Sequence, residues 1–191
     1  MKSTVYGVLV SLVILVAACG EKKPTAEVVE EIPMGETDIV AHGEYLVNIL
    51  GCTDCHTPKK MTEQGPVPDM DKYLMGFDAS RPLPPIPENV PLGPWVLFSG
   101  ELTAAVGPWG TSYSGNLTPH ETGIGTWTLE QFKKAIREAK FKGLDNSRPI
   151  MPPMPQHYAY LTDGDIEAVF EYLKTIQPIE NRVPAYEPPS S

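Results

Sequence analysis

Three residues with chemistry to offer stand close together: Cys52, Cys55 and His56, within Gly51-Cys52-Thr53-Asp54-Cys55-His56. The pattern is C-x-x-C-H, the attachment signature of a c-type haem. Two thiols three positions apart on a turn can each add to one vinyl group of the same porphyrin, forming two thioether bonds. The histidine that follows then falls under the iron and donates a ring nitrogen as proximal ligand. A redox-active C-x-x-C and half of a zinc site are the competing readings. No second Cys pair or Cys/His pair with zinc spacing follows, and no thioredoxin-like strand precedes the motif. The chain is expected to carry one covalent haem c.

The iron of an electron-transfer haem needs a second axial ligand. Methionine sulfur is soft, favours the reduced iron and raises the potential. Met61, Met70, Met75, Met151 and Met154 follow the motif, and His42, His120 and His157 are the histidine alternatives. Met154 is the favoured ligand. It lies in Ile150-Met151-Pro152-Pro153-Met154-Pro155, where flanking prolines restrict the backbone and lower the entropy lost on ligation. The expected axial pair is therefore His56 and Met154, with Met151 the neighbouring alternative. Arg148 and the indoles of Trp95, Trp109 and Trp127 are candidate donors to haem propionates.

The elements that must position these groups can be read from local signals. Thr37 or Asp38 can cap a helix running to about Leu50, with Ile39, Leu46, Val47 and Leu50 on its apolar side and Gly43 as a candidate point of close helix approach. Thr128-Leu129-Glu130-Gln131 is a capping box opening a helix to about Lys140, with Leu129, Phe132, Ala135, Ile136 and Ala139 facing inward. Thr162-Asp163-Gly164-Asp165 opens a last helix stopped by Pro178, with Ile166, Val169, Phe170, Leu173 and Ile176 as its stripe. Between residues 57 and 115 the pattern breaks down. The stretch from Arg81 to Pro94, both included, holds six prolines, which no helix or central strand tolerates. Trp95-Val96-Leu97-Phe98 and Glu101 to Val106 suit only short strands or an extended wrap, a long irregular cover for the haem edge.

The N-terminus reads as an address. Lys2 precedes an apolar run from Val8 to Val16, and Val16-Ala17-Ala18-Cys19 places small residues before a cysteine. This resembles a bacterial lipoprotein signal in which Cys19 becomes the acylated first residue, and the run is too short for a good membrane span. Residues 1–18 are then the signal, 19–36 a flexible tether, 37–184 the mono-haem domain and 185–191 a loose tail. All 3 cysteines of the 191-residue chain are accounted for, one for lipid and two for haem. The expected location is the periplasmic face of a bacterial membrane. The net charge of −9 argues against nucleic-acid binding and suits a basic patch on a redox partner protein.

Three groups of residues carry a family resemblance. They are Gly43-Glu44-Tyr45-Leu46-Val47 leading to Cys52-Thr53-Asp54-Cys55-His56-Thr57-Pro58; Asn116-Leu117-Thr118-Pro119 with Thr122-Gly123-Ile124-Gly125-Thr126-Trp127; and Pro152-Pro153-Met154-Pro155 with Leu161-Thr162-Asp163-Gly164-Asp165-Ile166 and Tyr172-Leu173. In this order they resemble bacterial class I c-type cytochromes, especially haem domains in cytochrome subunits of membrane-bound dehydrogenases. The resemblance implies a small all-α fold in which first and last helices cross near the haem, with Gly43 facing Phe170 or Tyr172. The Pro-rich stretch is then an irregular insertion between haem motif and distal ligand. The resemblance also implies His56/Met154 ligation. The expected function is membrane-tethered electron transfer without catalysis. A haem enzyme or gas or redox sensor with a displaceable distal ligand, and a fixed haem subunit of a dehydrogenase or oxidase complex, are the alternatives.

Overall fold

The computed structural model describes residues 36–85 and 93–189. The signal, Cys19, the tether apart from Glu36, and Pro87 and Pro91 lie outside the described residues. No described helix is long and apolar enough to cross a membrane.

Four helices carry the core: α1 (Glu36–Ile49), α2 (Cys52–His56), α3 (Leu129–Arg137) and α4 (Asp163–Thr175). Both later helices start on side-chain caps. Thr128 Oγ1 accepts from the Gln131 amide and Thr162 Oγ1 from the Asp165 amide, and each N3 side chain reaches back in turn. Donors that a helix start leaves unpaired are thereby satisfied. Leu46 and Val47 of α1 pack on Ile166, Ala168, Val169, Phe170 and Leu173 of α4, with Leu74, Ile124 and Phe132 closing the cluster. The Phe132 and Phe170 rings lie 5.4 Å apart, centroid to centroid. At the crossing of α1 and α4, Gly43 is buried. A Cβ there would lie 1.9 Å from the Ala168 carbonyl oxygen and 2.8 Å from Tyr172 Cβ. Gly43 thus meets the α4 backbone at Ala168 and the side chain of Tyr172, rather than Phe170.

The expected all-α class is corrected by two small antiparallel sheets. The first pairs β1 (Lys59–Thr62) with β2 (Gly65–Pro68). The second has the order β3 (Leu97–Phe98), β4 (Ala104–Gly107), β5 (Gly110–Tyr113). Prolines argue against a central strand, yet Pro66 and Pro68 occupy β2, a strand of a two-stranded ribbon. There each strand has one open edge, and a residue whose N–H points to that edge can be proline without loss of a ladder bond. In the second sheet Gly107 and Gly110 pair across the two-residue turn Pro108-Trp109. The β4 strand is buried along its length, so a part of the insertion has a packed interior of its own.

The open edge of β5 is closed by the C-terminal segment. Thr111 and Glu187 exchange backbone hydrogen bonds of 2.8 and 3.0 Å, and Tyr113 donates to the Glu187 carboxylate at 2.7 Å. Residues 185–189, expected to be loose, are held at this point. Unpaired edge groups seek such partners.

Candidate haem-binding site

The proposed attachment residues all belong to one short helix. Gly51, at φ +71°, turns the chain from α1 into α2, a left-handed conformation that favours glycine. Cys52 and Cys55 are half-buried free thiols one helical turn apart, and His56 ends the helix. Burial pushes the Cys52 thiol up to about 11, despite a favourable backbone hydrogen bond. Burial, then the nearby Asp54 carboxylate, raises that of Cys55. Both sulfurs therefore rest as neutral thiols. The carbonyl end of α2 is capped by Lys59, whose Nζ donates to the carbonyls of Asp54 at 2.7 Å and Thr57 at 2.8 Å. A cation is favoured where helix carbonyls are left unpaired.

His56 is aimed from outside its helix. Nδ1 donates to the Gly115 carbonyl at 2.7 Å. A carbonyl can only accept, so the proton sits on Nδ1 and Nε2 keeps its lone pair for a metal. Burial lowers the basicity of the ring, with the Gly115 bond opposing the shift, so the imidazole is held neutral, as ligation requires. The backbone around it is equally fixed. The His56 carbonyl accepts from the Gly76 amide at 2.8 Å, and the Phe77 amide donates to the Ser114 carbonyl at 2.9 Å. Gly76 adopts φ +79°, and a Cβ there would meet the Ser114 carbonyl oxygen at 2.4 Å. Next in line, the buried Thr57 hydroxyl accepts from the Leu74 amide at 3.1 Å.

Two buried asparagines tie this frame to the end of the chain. Asn181 Nδ2 donates to the carbonyls of Met75 at 2.7 Å and Phe77 at 2.8 Å. Asn116 Nδ2 donates to the Ile179 carbonyl at 2.9 Å, while its Oδ1 accepts from the Thr118 amide at 2.9 Å. Asp78 adds a buried charge centre. Burial opposes its charge, but hydrogen bonds from Lys72 at 2.6 Å and from Ser80 hold the carboxyl well below the usual range, and Arg81 lies 3.0 Å from the same carboxylate.

Met154 is half-buried. With Ile150, Pro155, Gln156 and Tyr158 it lines a small cavity closed by Ala135, Ile136 and Ala139 of the α3 region. Tyr158, buried four residues later, donates its hydroxyl to the Leu50 carbonyl at the entry to the haem turn. Burial and the neighbouring Cys52, Cys55 and Asp54 push that phenol up to about 12. The segment after Met154 thus reaches the turn that carries the cysteines. Met61 and Met70 are exposed and Met75 is buried. His42 bonds to Asp165 at 2.8 Å and His120 to Thr122 at 2.9 Å. Arg148, a propionate candidate, instead stacks 3.8 Å over the Phe141 ring. Trp109 donates to Ser112 at 3.3 Å, and Trp95 is exposed.

The donor set fits a covalently held haem: two free thiols on one helix, an imidazole with Nε2 free, and a half-buried thioether in a small recess. No cluster of three or more His, Cys, Asp or Glu suited to a bare metal ion occurs among the described residues. Sequence reasoning missed Gly115, Thr57, Asn181, Tyr158 and Lys59. Only Lys59, a cation directly after the motif, left a local signal.

No family model matches the chain. It is 38% identical over 151 residues to the cytochrome c subunit of alcohol dehydrogenase (quinone) from Gluconobacter oxydans, covering 76% of this chain and 24% of that protein. It is 32% identical over 135 residues to the gluconate 2-dehydrogenase cytochrome c subunit of Pantoea cypripedii, covering 70% and 22%. It is 38% identical over 85 residues to the fructose dehydrogenase cytochrome subunit of Gluconobacter japonicus, covering 43% and 17%. The chain spans less than a quarter of the length of each of these relatives. It is thereby related to the cytochrome c subunits of dehydrogenases.

Proposed function

We propose that the chain is a one-haem electron-transfer protein that passes electrons between a dehydrogenase and an acceptor and does no catalysis of its own. Cys52 and Cys55 would hold haem c through thioether bonds, and His56 and Met154 would ligate its iron. The group supplies one-electron Fe(III)/Fe(II) chemistry when bound. The protein's part is to set its potential and limit its reorganisation. Gly115 fixes the His56 tautomer, the frame of Gly76, Thr57 and Asn181 keeps the ring from turning, and the recess lined by Ile136, Ile150 and Pro155 partly shields the Met154 thioether. The single observation that supports this reading is the His56 Nδ1 bond to the Gly115 carbonyl, which leaves the Nε2 lone pair available to a metal.

The domain would span residues 37–184, exported behind the signal at 1–18 and tethered by a lipid on Cys19 through residues 19–36, at the periplasmic face of a membrane. The motivation is the run Val8 to Val16 followed by Ala17-Ala18-Cys19. Its redox partners would include a dehydrogenase, because the relatives are named as dehydrogenase subunits. The same names favour permanent assembly over free diffusion as a second reading. Detergent extraction tests it: co-elution with a dehydrogenase supports a fixed subunit, and elution alone rules it out.

The axial assignment is tested by spectra of the ferric protein beside Met154→Ala and Met151→Ala. The thioether-to-iron charge-transfer band is expected to vanish only in Met154→Ala. Loss only in Met151→Ala would move the ligand three residues. A high-spin resting iron in the unaltered protein would exclude the His/Met centre altogether.

A further inference from the structure

The loop that carries Met154 has an unusual shortage of donors. Pro149, Pro152, Pro153 and Pro155 have no N–H, so the loop can be held chiefly by its carbonyls. One backbone bond secures its start, from the Ile150 amide to the Ala139 carbonyl at 2.6 Å. A second hold, two residues before Met154, comes from the insertion. Ser112 on β5 is buried, and its Oγ lies 2.6 Å from the Pro152 carbonyl oxygen. The other acceptor within reach, the Ala105 carbonyl, is at 3.3 Å. A hydroxyl has one proton, and the shorter contact has the usual O–H···O length. The donation therefore goes to Pro152. Its lone pairs are oriented by the Trp109 indole, which donates to Ser112 Oγ at 3.3 Å.

The strand that presents Ser112 is itself braced on both sides. Ala105 of β4 is its cross-strand partner, and Thr111 beside it pairs with Glu187 of the C-terminal segment. Tyr186 fastens the same corner by donating to the Trp109 carbonyl. Trp109 lies flat against Gly107, where a Cβ would come within 2.5 Å of the ring.

We infer that Ser112 is a positioning residue for the distal ligand, and that the three-stranded insertion works as a brace setting the strength of the Met154–iron bond. The inference rests on the proposed role of Met154. Loss of the Ser112 bond frees the Pro152 end of the loop, so the thioether is more easily displaced and the potential falls.

The test is competition by imidazole for the ferric iron in the full-length haem-loaded protein, with the thioether band and midpoint potential read on the same samples. Ser112→Ala is expected to bind imidazole about tenfold more tightly, equivalent to ~1.4 kcal/mol, with a lowered potential. Ser112→Thr keeps the hydroxyl and is expected within about twofold of the unaltered protein. If Ser112→Ala does not accumulate, Trp109→Phe removes the indole that orients Ser112 and is expected to shift affinity about threefold in the same direction. Unchanged affinity and potential in these variants, while Met154→Ala abolishes the band, would overturn the brace and leave the ligand assignment standing. Retention of the band in Met154→Ala would overturn both.

Discussion

The two sides of the proposed haem site are held by different means. On the His56 side the hold is backbone and buried amide. Main-chain groups of Gly76, Gly115 and Leu74 bond the His56 carbonyl, the His56 ring and the Thr57 hydroxyl, and Phe77 bonds Ser114 beside them. Asn181 holds the carbonyls of Met75 and Phe77. On the Met154 side a proline-rich loop hangs on a few side chains, Ser112 and Tyr158 foremost. The first arrangement fails with the fold. The second can loosen while the fold persists. A carrier gains from this division, because the attachment turn must never move, whereas the distal bond is the adjustable one.

Substitutions separate the two regimes, and the largest effect belongs to the proximal frame. Gly76→Ala places a methyl 2.4 Å from the Ser114 carbonyl at φ +79°. Strain and overpacking together are expected to cost at least about 3 kcal/mol, seen as loss of cooperative melting and of haem incorporation together. Thr57→Val leaves the Leu74 amide without its 3.1 Å acceptor. Denaturant titration is expected to show a loss of about 1–3 kcal/mol. Tyr158→Phe removes only the donor to Leu50. It is expected to cost about 1 kcal/mol while weakening the thioether band more than the melting temperature. An equal fall in both for Thr57→Val and Tyr158→Phe would erase the distinction between the two sides.

The smallest effect is a pH dependence shared by neither side. Burial opposes the charge of Asp165, but hydrogen bonds from His42 and Thr162 bring its carboxyl below the ordinary 3.8. The folded state therefore favours the carboxylate. Its contribution is complete above that ordinary value and is lost as pH falls through the lowered one. Acid titration of His42→Ala is expected to flatten this limb by less than about 1 kcal/mol, with the spectrum at neutral pH unchanged.

What could be read beforehand was what neighbours in sequence decide. The caps at Thr128 and Thr162 depend on residues three positions on, and both occur. The stripe of α4 from Ile166 to Leu173 depends on helical period, and it is the core. Pairing of Leu97–Phe98 and Ala104–Gly107 with the strands beside them is local, whereas the bridge of Thr111 to Glu187 depends on chain brought from elsewhere. Short strands are legible at Trp95–Phe98 and Glu101–Val106, where β3 and β4 lie, but not β5 or the bridge that closes its edge. In the site, the side chains with ligand chemistry announced themselves by type. Gly115 serves His56 through a carbonyl that every residue possesses, so its role has no signature. Ser112 and Asn181 are ordinary polar residues whose partners lie far away in sequence.

Gly43 carries a last consequence. By letting α1 touch the α4 backbone at Ala168, it pins the two ends of one long polymer loop, and the attachment turn, both sheets and the distal segment all hang within it. The entropy of closing such a loop rises only with the logarithm of its length, so doubling it costs about 0.6 kcal/mol. Length can therefore be added at an exposed tip such as the β1–β2 turn at Glu63-Gln64 at little entropic cost, while a single methyl at the pin is not tolerated. The crossing is the invariant on which an insertion such as the β3–β5 sheet can be grafted.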